Sequence, residues 1–507
     1  MSSRLRMTMR NALWSYVSLG VNLLLRFVSR RVFLSALGSA YLGVNGLFSN
    51  VLGVLSFAEL GIGTAMNFSL YGPAARDDRR KLQAWLHWYK WAYRTVAAVI
   101  LALGLALLPF LHRLVKDPGD VGDLRLYYLI YLGGTVSSYL FTYRFSLLHA
   151  QQKGYLLTNL NTLASAVTTL VQLAALKLGQ DYLCWLLLGT GAELVKNLVF
   201  RWYLDRLYPY LREKPPQPLS PEEKQTLFRK LRALLLHKLG EISVHQTDNL
   251  LISAFVSLRA VGLISNYQLL ISVVSGGIGV LFSSATGSLG NLIATESRQK
   301  QYAVFQISRF LSFWLYGFSA IALYVLSTPF LTLWLGPGFG VDQSVVGLIL
   351  LNFYLMGHRI CLNHMKTAAG LVEPDRYVPL LQAAVNLIAS VVLARRIGLP
   401  GVYLGTVLQG LVSTLLKPPI VYRELFGRSS RDYFRDGAVF LLAIAAALIP
   451  CLLLRDALLT EVTWPRFLLT AAGTAVIPNG LFFLLFRKRQ ELRALLGMVK
   501  KMLRLST

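Results

Sequence analysis

The chain has 507 residues, 55% hydrophobic and 15% charged, where soluble domains carry about 25% charged residues. Its 51 Lys and Arg against 24 Asp and Glu leave a net charge of +27. A soluble multidomain enzyme is excluded, and the basicity reads as loops on one side of a helical membrane protein rather than as a nucleic-acid surface.

Arg4, Arg6 and Arg10 open the chain like the basic region of a signal peptide. The apolar segment that follows is too long and too rich in arginine for one, so it reads as a retained first helix. Apolar stretches predict fourteen spans, near 11–35, 41–70, 84–111, 124–149, 155–178, 182–208, 232–256, 261–293, 303–334, 343–369, 377–397, 399–422, 436–455 and 464–486. Each reaches the ~20 residues that cross a bilayer. Cys184, Cys361 and Cys451 lie far apart in or beside these stretches, with no ligand spacing and no evident pair.

The first span carries Arg26, Arg30 and Arg31. An arginine in hydrocarbon costs at least ~2.5 kcal/mol, so such residues face a bundle interior or a wet cavity. Asn22, Arg26 and Arg30 recur every four residues and share one helix face. That face is expected to line a cationic chamber. Glu59, late in the second span, either balances an arginine of the first, couples a cation, or sits near the interface. Arg144 in the fourth span, Arg309 in the ninth and Arg359 in the tenth are further candidates for the lining, with snorkelling at span ends as the alternative. Lys90 and Arg94 read as snorkelling residues.

A proline-rich polar run, residues 212–221, separates the first six spans from the next six. It stops helix, and an amphipathic interfacial helix near 221–231 is expected to follow. The two sets look like a weak repeat. Gly43 to Lys81 and Gly262 to Lys300 are each a glycine-rich helix ending in a basic loop. Leu108-Pro109-Phe110-Leu111 resembles Thr328-Pro329-Phe330-Leu331, and Leu188-Gly189-Thr190 recurs as Leu404-Gly405-Thr406. Six spans per repeat preserve orientation, so the halves should be related by an axis along the membrane normal, with sites between them near the midplane.

At an offset of 219 residues, that of Gly43 and Gly262, Asn22, Arg26 and Arg30 fall on Glu241, His245 and Asn249. The seventh span places His237, Glu241, His245 and Asp248 on one stripe. Glu241, His245 or Asp248 would bind a coupling cation or pair with arginine; helix-to-helix ion pairing is the plainer alternative. The His237, Glu241 and His245 spacing is too loose to assign a metal.

Basic loops at 76–81, at Lys153, at 298–300 and at 423–431 fall on one side, with the 209–230 linker and the 487–507 tail. That side should be the cytoplasm, with both termini inside; Arg395 and Arg396 are the exceptions. The reading is therefore an all-α polytopic membrane protein of about fourteen transmembrane helices. It comprises a six-helix lobe at 1–208, a linker and amphipathic helix at 209–230, a second six-helix lobe at 231–422, two additional helices at 423–486 and a basic tail at 487–507. The lobes are expected to be related by a pseudo-two-fold along the membrane normal. No phosphate loop or nucleophile elbow is present, and an enzyme is not expected.

Tyr41-Leu-Gly-Val-Asn-Gly-Leu-Phe-Ser-Asn50 and Leu55-Ser-Phe-Ala-Glu-Leu-Gly-Ile-Gly63 resemble the polysaccharide flippase (Wzx-like) family. So do Gln246-Thr-Asp-Asn-Leu-Leu-Ile-Ser253 and Val261-Gly-Leu-Ile-Ser-Asn-Tyr267. The resemblance implies membership of the multidrug, oligosaccharidyl-lipid and polysaccharide exporter superfamily, built of two six-helix lobes with alternating access. It implies export of an undecaprenyl-diphosphate-linked oligosaccharide across a bacterial plasma membrane. Arg26 and Arg30 would then meet the diphosphate. No cofactor is implied beyond H+ or Na+ as a coupling ion. The implied partners are the anionic lipid-linked substrate, membrane lipids, and the glycosyltransferases and polymerase of the same pathway. An exporter of organic cations with the same fold, and a membrane-embedded transferase or polymerase, are the alternatives.

Overall fold

The computed structural model describes residues 3–59, 62–115, 120–151, 153–213, 218–225, 227–228, 247–369, 371, 374–375 and 377–505. Among them every regular element is helical. Ten stretches are long and apolar enough to cross a membrane, and α4 (Leu124–Ala150) and α5 (Gly154–Lys177) match two more expected spans in length. The protein is an all-α polytopic membrane protein, as its composition demands.

α1 (Ser3–Leu55) holds the first expected span and much of the second, bent at Gly38. There φ is +81° and ψ 177°, a region open essentially to glycine alone. A Cβ at Gly38 would meet nothing within 4 Å, so the backbone angle and not crowding selects the residue. A 3₁₀ turn, Ser56–Glu59, follows, and the helix resumes as α2 (Ile62–Ala75). The second span is thus a broken helix. α3 (Arg79–Leu107) begins at Asp78, whose carboxylate accepts from the Lys81 amide at 3.0 Å. α6 (Tyr182–Leu207) begins the same way at Asp181.

By contacts the chain divides into Met1–Gly262 and Leu263–Thr507. In the first unit α1 packs on α5, and α4 packs on α2, α3 and α6. A short helix, α7 (Asp248–Phe255), packs on α1, and α8 (Leu258–Thr295) starts here. Of the interfacial helix expected at 221–231, residues 221–225 and 227–228 are described and helical. Ser220 and Glu223 form a capping box at its start: the Ser220 amide donates to Glu223 Oε2 at 3.0 Å, and the Glu223 amide donates to Ser220 Oγ at 3.3 Å.

The second unit continues with α9 (Arg298–Leu335), α10 (Gln343–His358), α11 (Ile360–Ala368), α12 (Val378–Ile397) and α13 (Leu399–Val421). α14 (Arg431–Leu458) and α15 (Trp464–Phe486) are the two extra spans, both packed on α9. Their seam is aromatic: Phe313 stacks on Phe440 at 4.1 Å between centroids and touches Phe482 and Phe486. The basic tail is helical over α16 (Gln490–Leu505), with Leu492 buried against the same core.

Candidate functional site

Helix geometry sorts the first span into two sides. Ser18 Oγ lies 2.5 Å from Thr162 Oγ1 of α5, and Asn22 Nδ2, one turn on and one turn before Arg26, donates to the Ser18 carbonyl at 2.8 Å, so the α5 seam borders the side that Asn22 shares with Arg26. Leu24 and Val28, 70% and 56% exposed, mark an exposed apolar stripe; Arg31, two turns on from Leu24 and itself exposed, falls on that stripe and not on the side of Arg26 and Arg30 where the sequence placed it. At ~100° per residue Arg26 lies about 160° round the helix from Leu24 and from Val28. Arg30 is one turn on from Arg26, on the same side. Arg26 is exposed, and among the described residues it has no ion-pair partner; Arg30 is half-buried beside it, within its electrostatic reach. The two guanidiniums are therefore set apart from the apolar stripe of their own helix.

The break in the second span presents a carboxylate. Glu59 Oε1 accepts from the Tyr93 hydroxyl at 3.0 Å and from the Gly63 amide at 3.2 Å. Its other oxygen accepts from the Tyr139 hydroxyl at 3.5 Å. The two tyrosine rings stack at 6.1 Å. Gly63 is part of this cage, because a Cβ there would stand 2.7 Å from Glu59 Oε1 and 3.0 Å from the Tyr93 hydroxyl. Among the described residues no Lys, Arg or His pairs with Glu59, so its charge meets only neutral donors.

Arg144, Arg309 and Arg359, the other candidate arginines, are engaged inside their own units. Arg144 is buried and paired with Asp205 of α6, and its Nε donates to the Tyr143 hydroxyl at 2.9 Å. Arg309 is buried and paired with Asp436 of α14, with the Tyr422 hydroxyl at 3.3 Å. Arg489 reaches the other Asp436 oxygen at 3.0 Å. Arg359 sits at the junction of α10 and α11, buried, with Nε donating to the Leu355 carbonyl at 3.0 Å. Asp248 opens α7. Glu241 and His245 lie outside the described residues.

Sequence reasoning did not single out Tyr93, Tyr139, Asp205 or Asp436. Asp205 and Asp436 carried a usable signal, since a carboxylate within or beside an apolar span is paired or functional by default. The two tyrosines are indistinguishable in sequence from an interfacial belt.

No protein-family model matches the sequence, and no curated protein matches it. Solved structures do. The lipid II flippase MurJ in an inward closed conformation aligns with a TM-score of 0.63 at 13% identity, over 94% of this chain and 98% of that one. An inward-facing multidrug resistance MATE family transporter of the MOP superfamily aligns with a TM-score of 0.59 at 15% identity, over 78% of this chain and 92% of that one. The MATE multidrug transporter DinF-BH aligns at 0.55 and 14%, over 84% and 97%. The fold is that of MurJ and the MATE transporters. At these identities the likeness is one of fold, and the structures that share it include both a lipid flippase and drug transporters.

Proposed function

We propose that this chain is a flippase that moves an undecaprenyl-diphosphate-linked oligosaccharide from the inner to the outer leaflet of a bacterial plasma membrane by alternating access. The observation that carries the reading is the Arg26 and Arg30 face of α1, which keeps two cations in a membrane span away from its apolar stripe. A phosphate and a guanidinium form bidentate, charge-assisted hydrogen bonds, and two adjacent guanidiniums suit a diphosphate. The polyprenyl tail stays in lipid while the polar head crosses. Outward movement of negative charge against an inside-negative potential gains ~2.3 kcal/mol per charge per 100 mV. Glu59 takes up the coupling ion, H+ or Na+, and both termini face the cytoplasm. Glycosyltransferases and a polymerase acting on the same carrier are the partners this role calls for.

The test is flipping in proteoliposomes of a fluorescent oligosaccharide on an undecaprenyl diphosphate. Arg26→Glu with Arg30→Glu should lower the rate at least tenfold with an unchanged Tm. A wild-type rate in that variant overturns the assignment.

A second reading, export of organic cations, draws on the Glu59 carboxylate between Tyr93 and Tyr139, since aromatic faces and a carboxylate attract cations. Binding of a lipophilic cation that Glu59→Gln abolishes, with no binding of the lipid diphosphate, would favour it.

A further inference from the structure

Arg144 of α4 and Arg201 of α6 share one carboxylate, and Lys90 of α3 lies within the field of both. Arg144 of α4 holds Asp205 of α6, and Arg201 Nε of α6 stands 4.0 Å from the other Asp205 oxygen. Lys90 of α3 lies in the repulsive field of Arg94, Arg144 and Arg201. Among the described residues neither Lys90 nor Arg94 has an ion-pair partner. Among the described residues Asp205 is the only carboxylate paired with any of Lys90, Arg94, Arg144 and Arg201, so this face carries a surplus of positive charge that attracts an anion.

The surroundings say what kind of anion fits. Arg94 lies over the Trp91 ring at 5.2 Å and Arg206 over the Trp202 ring at 4.0 Å. Both indoles are more than half exposed, as is Val195. Tryptophan favours the headgroup level of a bilayer. Arg144 and Arg201 each precede the end of their helix by six residues, about 9 Å at 1.5 Å per residue. The loops at this end carry Arg76, Arg79, Arg80, Lys81 and Lys153, which by the positive-inside rule is the cytoplasmic end. A free anion would find large apolar groups around it; a lipid would find both its phosphate and its chains accommodated.

We propose that this face of α3, α4 and α6 binds the headgroup of an anionic glycerophospholipid of the inner leaflet. Its phosphate lies among Lys90, Arg94 and Arg201, and its chains lie against the exposed apolar side chains beside them. Arg144, neutralised by Asp205, positions this set rather than meeting the lipid. The site uses different helices from Arg26 and Arg30, and it does not rest on the flippase reading.

The test is native mass spectrometry of the full-length protein released from detergent with equal phosphatidylglycerol and phosphatidylcholine. The wild type should retain phosphatidylglycerol in preference. Lys90→Ala with Arg201→Ala should cut that retention at least fivefold, while Arg466→Ala, in the second unit, should not. Should the double variant fail to give a folded protein by Tm, Arg94→Gln on an exposed side chain reads the same effect. Equal retention of both lipids, or unchanged retention in the folded variants, overturns the proposal. So does displacement by millimolar inorganic phosphate, which would make the ligand a free anion. Displacement by undecaprenyl diphosphate but not by a second anionic phospholipid would also overturn it, assigning the site to a carrier lipid. Transport is not read in any arm, so the fate of the flippase reading leaves the result untouched.

Discussion

Gly43 of α1 and Gly262 of α8 meet where two main chains of the first unit touch. A Cβ on Gly43 would stand 1.9 Å from the Leu258 carbonyl oxygen, and a Cβ on Gly262 would stand 1.9 Å from the Ser39 carbonyl oxygen. The contact is reciprocal: Ser39 and Leu258 are separated by the same 219 residues as Gly43 and Gly262. Glycine lets the backbones touch directly, which is how membrane helices gain packing where no hydrophobic force drives them together.

Any side chain at this crossing must push the backbones apart. Gly43→Ala or Gly262→Ala should destabilise by about 1–3 kcal/mol, the range for overpacking, visible as a lowered Tm in detergent. Gly276→Ala and Gly277→Ala, where a Cβ meets nothing within 4 Å, should leave Tm unchanged or slightly raised. Equal effects at both pairs would refute the close approach.

The buried pair of Arg309 and Asp436 joins α9 to α14. Asp436→Asn leaves a buried guanidinium without its charge partner, and should cost about 3–5 kcal/mol. Arg309→Met with Asp436→Leu removes both charges and should cost less than the two single changes summed. A thermal double-mutant cycle measures this; strict additivity would show that the two side chains do not act on each other.

Glu59 is caged by donors that need its charge. Tyr93→Phe removes one charge-assisted hydrogen bond, which should destabilise by about 1.5–3 kcal/mol. Gly63→Ala should be at least as severe, because it displaces the carboxylate oxygen itself. The check is Tm for each, with Tyr203→Phe on an exposed ring as the reference; a Gly63→Ala protein as stable as wild type would remove the cage from consideration.

Outside the spans, Glu223 is paired with Lys81. Burial works to raise its carboxyl, but the Lys81 ammonium and the Ser220 amide and hydroxyl outweigh it and hold the group below the usual carboxylate value. The lowered folded value means the tie is fully present above about pH 4.3 and is lost as pH falls through that lowered value. Hydrogen exchange at 221–225 should show protection collapsing on acidification, and Lys81→Ala should move the collapse to higher pH. Protection that is constant with pH, or indifferent to Lys81, would count against the tie.

Span positions are legible in the sequence because bilayer thickness fixes the length of an apolar run. α15 matches the expected 464–486 at both ends, and α6 ends one residue before the expected 208. The interruptions are not legible. The break after Leu55 and the junction at Arg359 fall inside continuous apolar sequence, where only tertiary partners decide whether a freed backbone group is satisfied. Arg26 and Arg30 declare their shared face by spacing alone. The partners of Arg144 and Arg309 lie 61 and 127 residues further on, and no local periodicity encodes such a pairing.

That last separation bears on how the chain is made. At 5–20 residues per second the ribosome needs roughly 6–25 s to travel from Arg309 to Asp436. During that interval α9 has left the translocon with a guanidinium and no counter-charge from its own sequence nearby. A nascent chain stopped before residue 431 should therefore carry Arg309 without its Asp436 partner and be a substrate for membrane quality control.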